Sequence, residues 1–247
     1  MDDDGGGTAA PGSRGDRLRR QRDEQLLAGT PLLAGLTASE RATLLAAAVV
    51  RRFEAGEALF HQGGGAEAFF LLTDGRVKLT QVSAEGDEVV VRFVAPGQPL
   101  AAISLLPGRV YPVSARAAVP SRALCWAGDG LRRLTREVPE LLRVAGEAMA
   151  DHMEEVTGRL REVSTERVAQ RLARALLRLG EQVGREVDEG LLLDLPLTRR
   201  DLAEMTGTTL YTVSRQLSAW EGEGLVSTGR ERVVLRDPER LAELAGG

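Results

Sequence analysis

Residues 197–221, LTRRDLAEMTGTTLYTVSRQLSAWE, have the spacing of two short helices joined by a tight turn, and this pattern constrains the fold most. Thr198 and Asp201 have the capping-box spacing that starts a helix. Gly207 follows where a tight turn favours a residue without Cβ, and either of the next two threonines can cap a second helix. The inward face of the two helices consists of Leu202, Met205, Val213, Leu217 and Trp220. The pattern predicts a helix-turn-helix, with an ordinary helical hairpin packed in a core as the alternative.

The second predicted helix has an outward face that could reach the edges of DNA bases. We expect the base-reading residues to be Thr209, Leu210, Tyr211, Ser214 and Arg215. An arginine in this position can form two hydrogen bonds to one guanine. Arg215 is therefore the residue expected to contribute most to sequence selection.

Two short β-rich runs, 225–227 and 233–235, follow this helix and flank a turn at residues 228–230. This order predicts a wing beside the helix-turn-helix. Cationic and hydroxyl side chains around the motif would contact phosphates, and those expected to do so are Arg199, Arg200, Thr208, Arg230 and Arg232. Of these, Arg230 and Arg232 are expected at the tip of the wing. Acidic residues slightly outnumber arginines between residues 166 and 247, so we expect weak non-specific binding to DNA.

Composition limits the cellular setting and the cofactors. The 247 residues suggest two domains, and they contain no apolar run long enough to span a membrane and no apolar signal-peptide centre. We therefore expect a cytoplasmic protein. The single cysteine, Cys125, cannot form an intrachain disulfide or supply the thiolates of an iron–sulfur cluster, and its apolar setting predicts a core residue.

The remaining chain divides into segments that differ in composition and in hydrophobic pattern. Residues 1–28 have few large apolar side chains and are expected to form a disordered tail. Residues 29–130 begin with a helical segment, in which Thr37 and Glu40 have capping-box spacing. Short apolar runs separated by glycines then predict an antiparallel β-domain.

A long helix is predicted over residues 131–164, where apolar residues recur at alternating spacings of four and three. This heptad pattern favours a homodimer contact over a helix that lies on its own domain. The predicted seam consists of Leu142, Gly146, Met149, Met153, Val156, Leu160 and Val163. Residues 165–247 then form the predicted DNA-binding domain.

The order of β-roll, long helix and winged helix-turn-helix resembles the cyclic-AMP receptor protein and FNR family of bacterial transcription regulators. The resemblance covers about residues 30–236. It is carried by the stretch 198–217 and by Gly56, Gly63, Gly75 and Gly97. It implies an α+β fold with a β-roll like a cyclic-nucleotide-binding domain. It also implies a homodimer on palindromic double-stranded DNA, with RNA polymerase as a further partner.

The effector pocket implied by the resemblance departs from that of the nucleotide-binding members. Those proteins carry a Gly-Glu-Leu turn and an Arg-(Ser/Thr/Ala) pair, which hold the ribose and phosphate. The corresponding positions here are Ala101, Ala102, Ile103, Ser104, Tyr111 and Pro112. Because an unneutralised buried phosphate is costly, cyclic AMP and cyclic GMP are not expected ligands unless Arg109 or Arg116 reaches the pocket.

Three segments resemble the nitrogen-oxide-responsive branch of the family, the NnrR and DNR-like regulators. They are YPVSARA at 111–117, TTLYTVSR at 208–215 and GRERVVLRDP at 229–238. Tyr211 replaces the glutamate of FNR-like recognition helices, which implies a changed preference at one base pair. The branch implies sensing of nitric oxide, for which haem is the candidate cofactor.

The two histidines, His152 and His61, are the candidate haem ligands, although each also fits an ordinary surface position. The identity of the effector therefore stays open. No catalytic triad, paired carboxylates at a phosphate loop or metal-spaced cluster is visible, so we do not expect an enzyme. Two alternatives remain, a constitutive regulator with a degenerate sensor and a cupin-like barrel, which would need clustered histidine and glutamate ligands.

Overall fold

The computed structural model describes residues 14–84, 86 and 88–246. The described part begins with helix α1 (Arg14–Gly29), a 3-10 helix (Pro31–Leu33) and α2 (Ala38–Ala47). The predicted capping box of α2 is confirmed, because Thr37 Oγ1 accepts from Glu40 N and the Glu40 carboxylate accepts from Thr37 N.

The expected disorder of residues 1–28 is wrong for residues 14–28, which lie in α1. Composition suggested disorder because large apolar residues are rare there. One of these, Leu27, is fully buried, and the Asp23 carboxylate pairs with Arg122 at 2.7 Å. A few contacts at one end therefore hold α1 against the β-domain, and residues 1–13 lie outside the described residues.

Within the described residues, eight strands form two antiparallel four-stranded sheets, with orders β1-β8-β3-β6 and β2-β7-β4-β5. Their bounds are β1 (Val49–Phe53), β2 (Ala58–Phe60), β3 (Ala68–Asp74), β4 (Val77–Val82), β5 (Glu88–Val94), β6 (Pro99–Leu100), β7 (Ser114–Ala117) and β8 (Ser121–Ala127). The predicted antiparallel β-roll is confirmed. Cys125 is buried between the sheets, and this burial raises the pKa of its thiol.

Gly75, in the turn between β3 and β4, shows why glycine is needed here. Its φ is +84°, and a Cβ would lie 2.2 Å from Ser121 Oγ and 2.6 Å from the Pro120 carbonyl oxygen. Any side chain would therefore force the backbone of the neighbouring strand apart.

The predicted long helix is split into α3 (Gly128–Glu137) and α4 (Glu140–Thr165). Pro139 lacks an amide donor and displaces the preceding residue from the helical region, so Val138 has φ −127° and ψ 79°. Leu141, Val144 and Ala145 on α4 pack into the core of their own β-roll. The seven predicted seam residues are instead exposed in the single chain, Leu160 by 67%.

The C-terminal part contains α5 (Val168–Val183), β9 (Gly184–Val187), β10 (Gly190–Leu193), α6 (Arg199–Thr206), α7 (Leu210–Gly222), β11 (Val226–Gly229), β12 (Arg232–Leu235) and α8 (Pro238–Leu244). Its sheet has the order β11-β12-β10-β9. The predicted winged helix-turn-helix is confirmed, but the wing strands reach further toward the turn than predicted. The tip is accordingly Arg230 and Glu231.

The DNA-binding domain packs against the β-roll of the same chain. Val90 and Phe93 of the β-roll share an apolar core with Leu202 of α6. Lys78 Nζ lies 3.1 Å from Asp201 Oδ1 across the same contact, and Arg76 pairs with Asp194 at 3.3 Å. In the described part of the chain, no helix combines the length and apolar character needed to cross a bilayer.

Candidate DNA interface and effector cavity

The two helices of the helix-turn-helix start and stop where local side chains satisfy the free backbone groups. Asp201 N donates to Thr198 Oγ1 at 3.1 Å, and Thr198 N donates to Asp201 Oδ2 at 2.9 Å, which confirms the predicted capping box. Gly207 ends α6 in the left-handed conformation with φ +59°. Thr209 caps α7 by accepting from Thr212 N at 3.2 Å. These caps fix where the outward face of α7 begins.

The five residues predicted to read bases lie together on the outward side of α7 and its cap. Thr209, Leu210, Tyr211 and Arg215 are exposed, Tyr211 by 74%, and Ser214 is half-buried. Among the described contacts, none engages the Arg215 guanidinium. Arg215 is therefore available for a partner outside the chain.

Several of the predicted phosphate-contacting residues line one concavity of about 320 Å³ between α6, α7 and the wing. Arg199, Arg200 and Arg232 line it together with Leu210 at the start of α7. Arg199 Nη2 also lies 3.5 Å from Thr228 Oγ1, and Thr228 N donates to Glu221 Oε1 at 2.8 Å. The wing is thus tied to both helices of the motif.

One predicted phosphate contact, Arg232, lies at another position than expected. Arg232 is the first residue of β12 rather than the wing tip, and its guanidinium lies 3.4 Å from Glu189. This pair is exposed, so we expect it to contribute at most about 1 kcal/mol and to exchange readily for a phosphate. Thr208 is half-buried in the turn, where its amide donates to the Ala203 carbonyl at 3.0 Å. Glu231 adds a carboxylate that the sequence analysis overlooked.

A second cavity of about 910 Å³ lies between the β-roll and α4. Five of the six predicted effector-pocket residues line it, namely Ala101, Ala102, Ile103, Tyr111 and Pro112. Ser104 does not, because it lies buried in the 3-10 helix Ala102–Leu105. Its hydroxyl has no hydrogen-bond partner among the described residues. For Ser104 the structure therefore gives a buried position in the 3-10 helix in place of the predicted one at the cavity wall.

Tyr111 is held rigidly in the cavity wall. Its ring stacks on Phe60 with centroids 4.2 Å apart. Its hydroxyl accepts from Ala68 N at 2.9 Å and donates to Ala68 O at 3.1 Å, and burial raises the pKa of Tyr111. The residue therefore offers a ring face to a ligand and no positive charge.

Two arginines, Arg92 and Arg109, line the cavity, and the sequence analysis missed Arg92. Arg116 bonds to the Gly56 carbonyl at 3.2 Å and is not among the lining residues. Leu79 and Val91 of the adjacent strands β4 and β5 also contribute, which the sequence pattern did not indicate.

Helix α4 closes one side of the cavity, to which it contributes Met149, His152, Met153 and Val156. His61 is exposed in the loop after β2 and does not line the cavity. The structure therefore separates the two candidate haem ligands. Among the described residues, no group of three or more His, Cys, Asp or Glu side chains could hold a metal ion.

Comparison with known proteins gives the family. Residues 170–244 match a Crp-like helix-turn-helix domain, and residues 50–137 match a cyclic nucleotide-binding domain. The cyclic AMP receptor protein of Thermus thermophilus is 30% identical over 219 residues, which cover 89% of this chain and 98% of that protein. The global nitrogen regulator of Synechococcus elongatus is 27% identical over 198 residues, covering 78% and 88%.

A solved structure of a CRP/FNR-family transcriptional regulator from Thermus thermophilus is 26% identical, with a TM-score of 0.66. The alignment covers 81% of this chain and 99% of that one. The order of sensor, α4 and winged helix is thus shared along nearly the whole of these relatives. The chain belongs to the Crp/Fnr family of DNA-binding transcription regulators.

Proposed function

We propose that the chain acts in the cytoplasm as a homodimer that binds a palindromic operator and is controlled by an effector in the 910 Å³ cavity. One observation carries this proposal. Met149, Met153 and Val156 belong both to the exposed apolar seam of α4 and to the cavity wall. A molecule in the cavity would therefore touch the same helix that joins the two protomers.

The exposed seam supports a homodimer. Large apolar side chains spaced by four and three along one helix gain roughly 25 cal/mol per Å² when they are removed from water. A second copy of α4 offers the same stripe and so satisfies two-fold symmetry. Two recognition helices related by this axis would read an inverted repeat, and RNA polymerase is the expected partner at the promoter.

Selection from a pool of randomised duplexes tests the DNA-binding part. We expect the purified protein to enrich an inverted repeat whose half-sites are about one helical turn apart. Enrichment of a single half-site would contradict the dimeric reading of DNA. No enrichment in the presence or absence of the candidate effectors would contradict the proposed function.

Haem, acting in nitric oxide sensing, is the effector we propose for the cavity. The walls are largely apolar, and His152 offers an imidazole. Arg92 and Arg109 offer positive charge for the propionates, which would have to lie away from the carboxylates that α4 contributes at Glu147, Asp151 and Glu155. Haem iron, when bound, would supply the coordination site for nitric oxide. Arg109 does line the cavity and could face a phosphate, so the case against a cyclic nucleotide rests on Ala102, which leaves no carboxylate where the nucleotide-binding members hold the ribose. The proposal accords with the resemblance to the nitrogen-oxide-responsive branch.

Absorption spectroscopy with added haem tests this assignment. We expect the wild-type protein to give a Soret band that His152→Ala loses or shifts, because an axial imidazole is removed. His61→Ala is the matched control and should keep the wild-type spectrum, and cyclic AMP should give no saturable calorimetric signal at micromolar concentration. An unchanged spectrum in His152→Ala would exclude His152 as the axial ligand of haem. A micromolar cyclic AMP signal would overturn the assignment of haem as the effector in the cavity.

A further inference from the structure

Arg171 of α5 is a buried cation whose guanidinium donates, among the described residues, only to backbone carbonyls. Its residue is 8% exposed. Nε donates to the backbone carbonyl of Thr206 at 2.9 Å, Nη1 to the backbone carbonyl of Glu166 at 2.8 Å and Nη2 to that of Gly207 at 3.4 Å. No carboxylate pairs with this guanidinium among the described residues. Three carbonyl dipoles therefore take the place of a carboxylate partner.

The three carbonyls belong to places where the chain changes direction. Thr206 and Gly207 are the last residue and the cap of α6, where helix carbonyls lack intrahelical donors and carry partial negative charge. Glu166 is the residue at which α4 ends. One side chain thus joins the end of α4, the start of α5 and the turn of the helix-turn-helix.

The neighbouring arginines of α5 provide a contrast. Arg174 pairs with the Glu166 carboxylate at 3.2 Å, and Arg178 pairs with Glu162 at 2.5 Å. Both side chains fasten α5 to α4, and neither has a hydrogen bond to the turn among the described residues. Arg171 therefore differs from them in contacting the segment that leads into α7.

We infer that Arg171 is a positioning residue for DNA recognition, an inference that rests on the proposed function. It holds the Thr206–Gly207 turn in place, and Thr209 caps α7 two residues later. Base contacts need side chains placed to within about 0.5 Å, so a turn that shifts would misalign Arg215 without removing any DNA-contacting group. The Glu166 bond makes this alignment depend on the end of α4 as well.

The test compares full-length Arg171→Met and Arg171→Lys with Arg174→Met as the matched control. The probe is the duplex that the wild-type protein selects, with a scrambled duplex of equal length for non-specific binding. Stoichiometric titration gives the active fraction, and affinities are measured below each variant's melting temperature. The quantity compared is the ratio of specific to non-specific affinity, which a merely structural role would not change in the active molecules.

We expect Arg171→Met to lower this ratio by about tenfold, comparable to losing one base contact. Arg171→Lys should lie between Met and wild type, because an ammonium keeps the charge but lacks the planar fork. Arg174→Met should keep the wild-type ratio, although it loses ion pairs of α4 and α5.

A ratio within about twofold of wild type in Arg171→Met would overturn the inference and leave Arg171 as a stabilising residue. An equal loss in Arg174→Met would also overturn it, because the effect would then belong to α5 in general. If Arg171→Met does not fold, Arg171→Lys decides, since an unchanged ratio there contradicts the positioning role. Failure of the wild-type protein to select any duplex would instead contradict the proposed function, and with it this role.

Discussion

Asp201 shows how one side chain can serve both the helix-turn-helix and its attachment to the sensor. One carboxylate oxygen accepts the Thr198 amide that begins α6, and the other lies 3.1 Å from Lys78 Nζ on the β-roll. Burial, followed by the Asp201 charge, raises the pKa of the nearby Glu204. The cap that starts α6 is therefore a carboxylate of the DNA-binding domain whose charge is balanced by a lysine of the β-roll.

Arg215 and Arg230 offer a direct test of base reading against phosphate contact. We expect Arg215→Ala to weaken operator binding by about 1–3 kcal/mol and to relax selection at one base of each half-site, because α7 presents this guanidinium without an internal partner. Arg230→Ala at the exposed wing tip should weaken all sequences alike and lower the salt dependence of binding.

Quantitative binding over a range of salt concentrations and single-base operator variants measures both effects. The two substitutions are controls for each other, because each removes one exposed guanidinium. Equal losses that do not depend on sequence would exclude Arg215 from base reading.

At the scale of elements, α4 is the helix with two apolar faces. Leu141, Val144 and Ala145 fix its first turns to the β-roll, and the opposite stripe stays exposed in the single chain. The heptad spacing predicts this stripe because residues three and four apart share one side of any helix. The break before α4 was overlooked, although Pro139 was a visible signal for it.

We expect Met153→Glu combined with Leu160→Glu to give monomers, because like charges across a buried seam cost several kcal/mol. The matched control is Ala150→Glu with Thr157→Glu, which places two glutamates at the same spacing on exposed positions of α4 outside the seam. Sedimentation velocity measures the outcome. A seam variant that sediments as a dimer would show that the interface lies elsewhere.

The elements that the sequence predicted best are those with local signals. A capping box, as at Thr37 and Thr198, involves residues only three apart, and the Gly207 cap involves one backbone conformation. Both signals can therefore be recognised in the sequence alone. The Asp23–Arg122 pair that holds α1 joins residues 99 apart. Its existence depends on how the sheets and helices meet, and no spacing rule contains that information.

The cavity was partly predictable for the same reason. The resemblance placed Ala101 and Tyr111 at the pocket, but it could not say that Ser104 would not line the wall or that Arg92 would. Those facts follow from a 3-10 turn and from the pairing of β4 with β5, both of which depend on the folded β-roll.

At the scale of the whole molecule, the β4–β5 hairpin separates the effector cavity from the DNA-binding domain. Leu79 and Val91 line the cavity, whereas Val90 and Phe93 pack into the core shared with α6. The register of β5 against β4 shifts by one residue between the Leu79–Arg92 and Thr80–Val90 pairs, and this bulge breaks the strict alternation of faces, so that Val90 and Phe93 can serve the same side. A ligand that displaces the cavity face of this hairpin would consequently act on the domain contact as well.

Unfolding of the two domains can be followed separately, because Trp126 is buried in the β-roll and Trp220 in the winged helix. Replacing one of the two tryptophans with Phe leaves a single tryptophan, whose fluorescence reports the unfolding of its own domain. In the otherwise wild-type protein we expect both probes to give coincident denaturant transitions, since the domains share an apolar core and the Lys78–Asp201 pair.

Lys78→Met should lower the free energy of unfolding that Trp220 reports by about 1–2 kcal/mol, so that this transition moves to lower denaturant. The transition that Trp126 reports should stay in place. The reason is that Asp201 is nearly buried and would lose the ammonium that compensates its charge while remaining the cap of α6. Lys78→Arg keeps the charge and should preserve coincident transitions. If both transitions shift together in Lys78→Met, the pair stabilises the whole molecule as one unit, and if neither shifts, Lys78 does not hold the DNA-binding domain against the sensor.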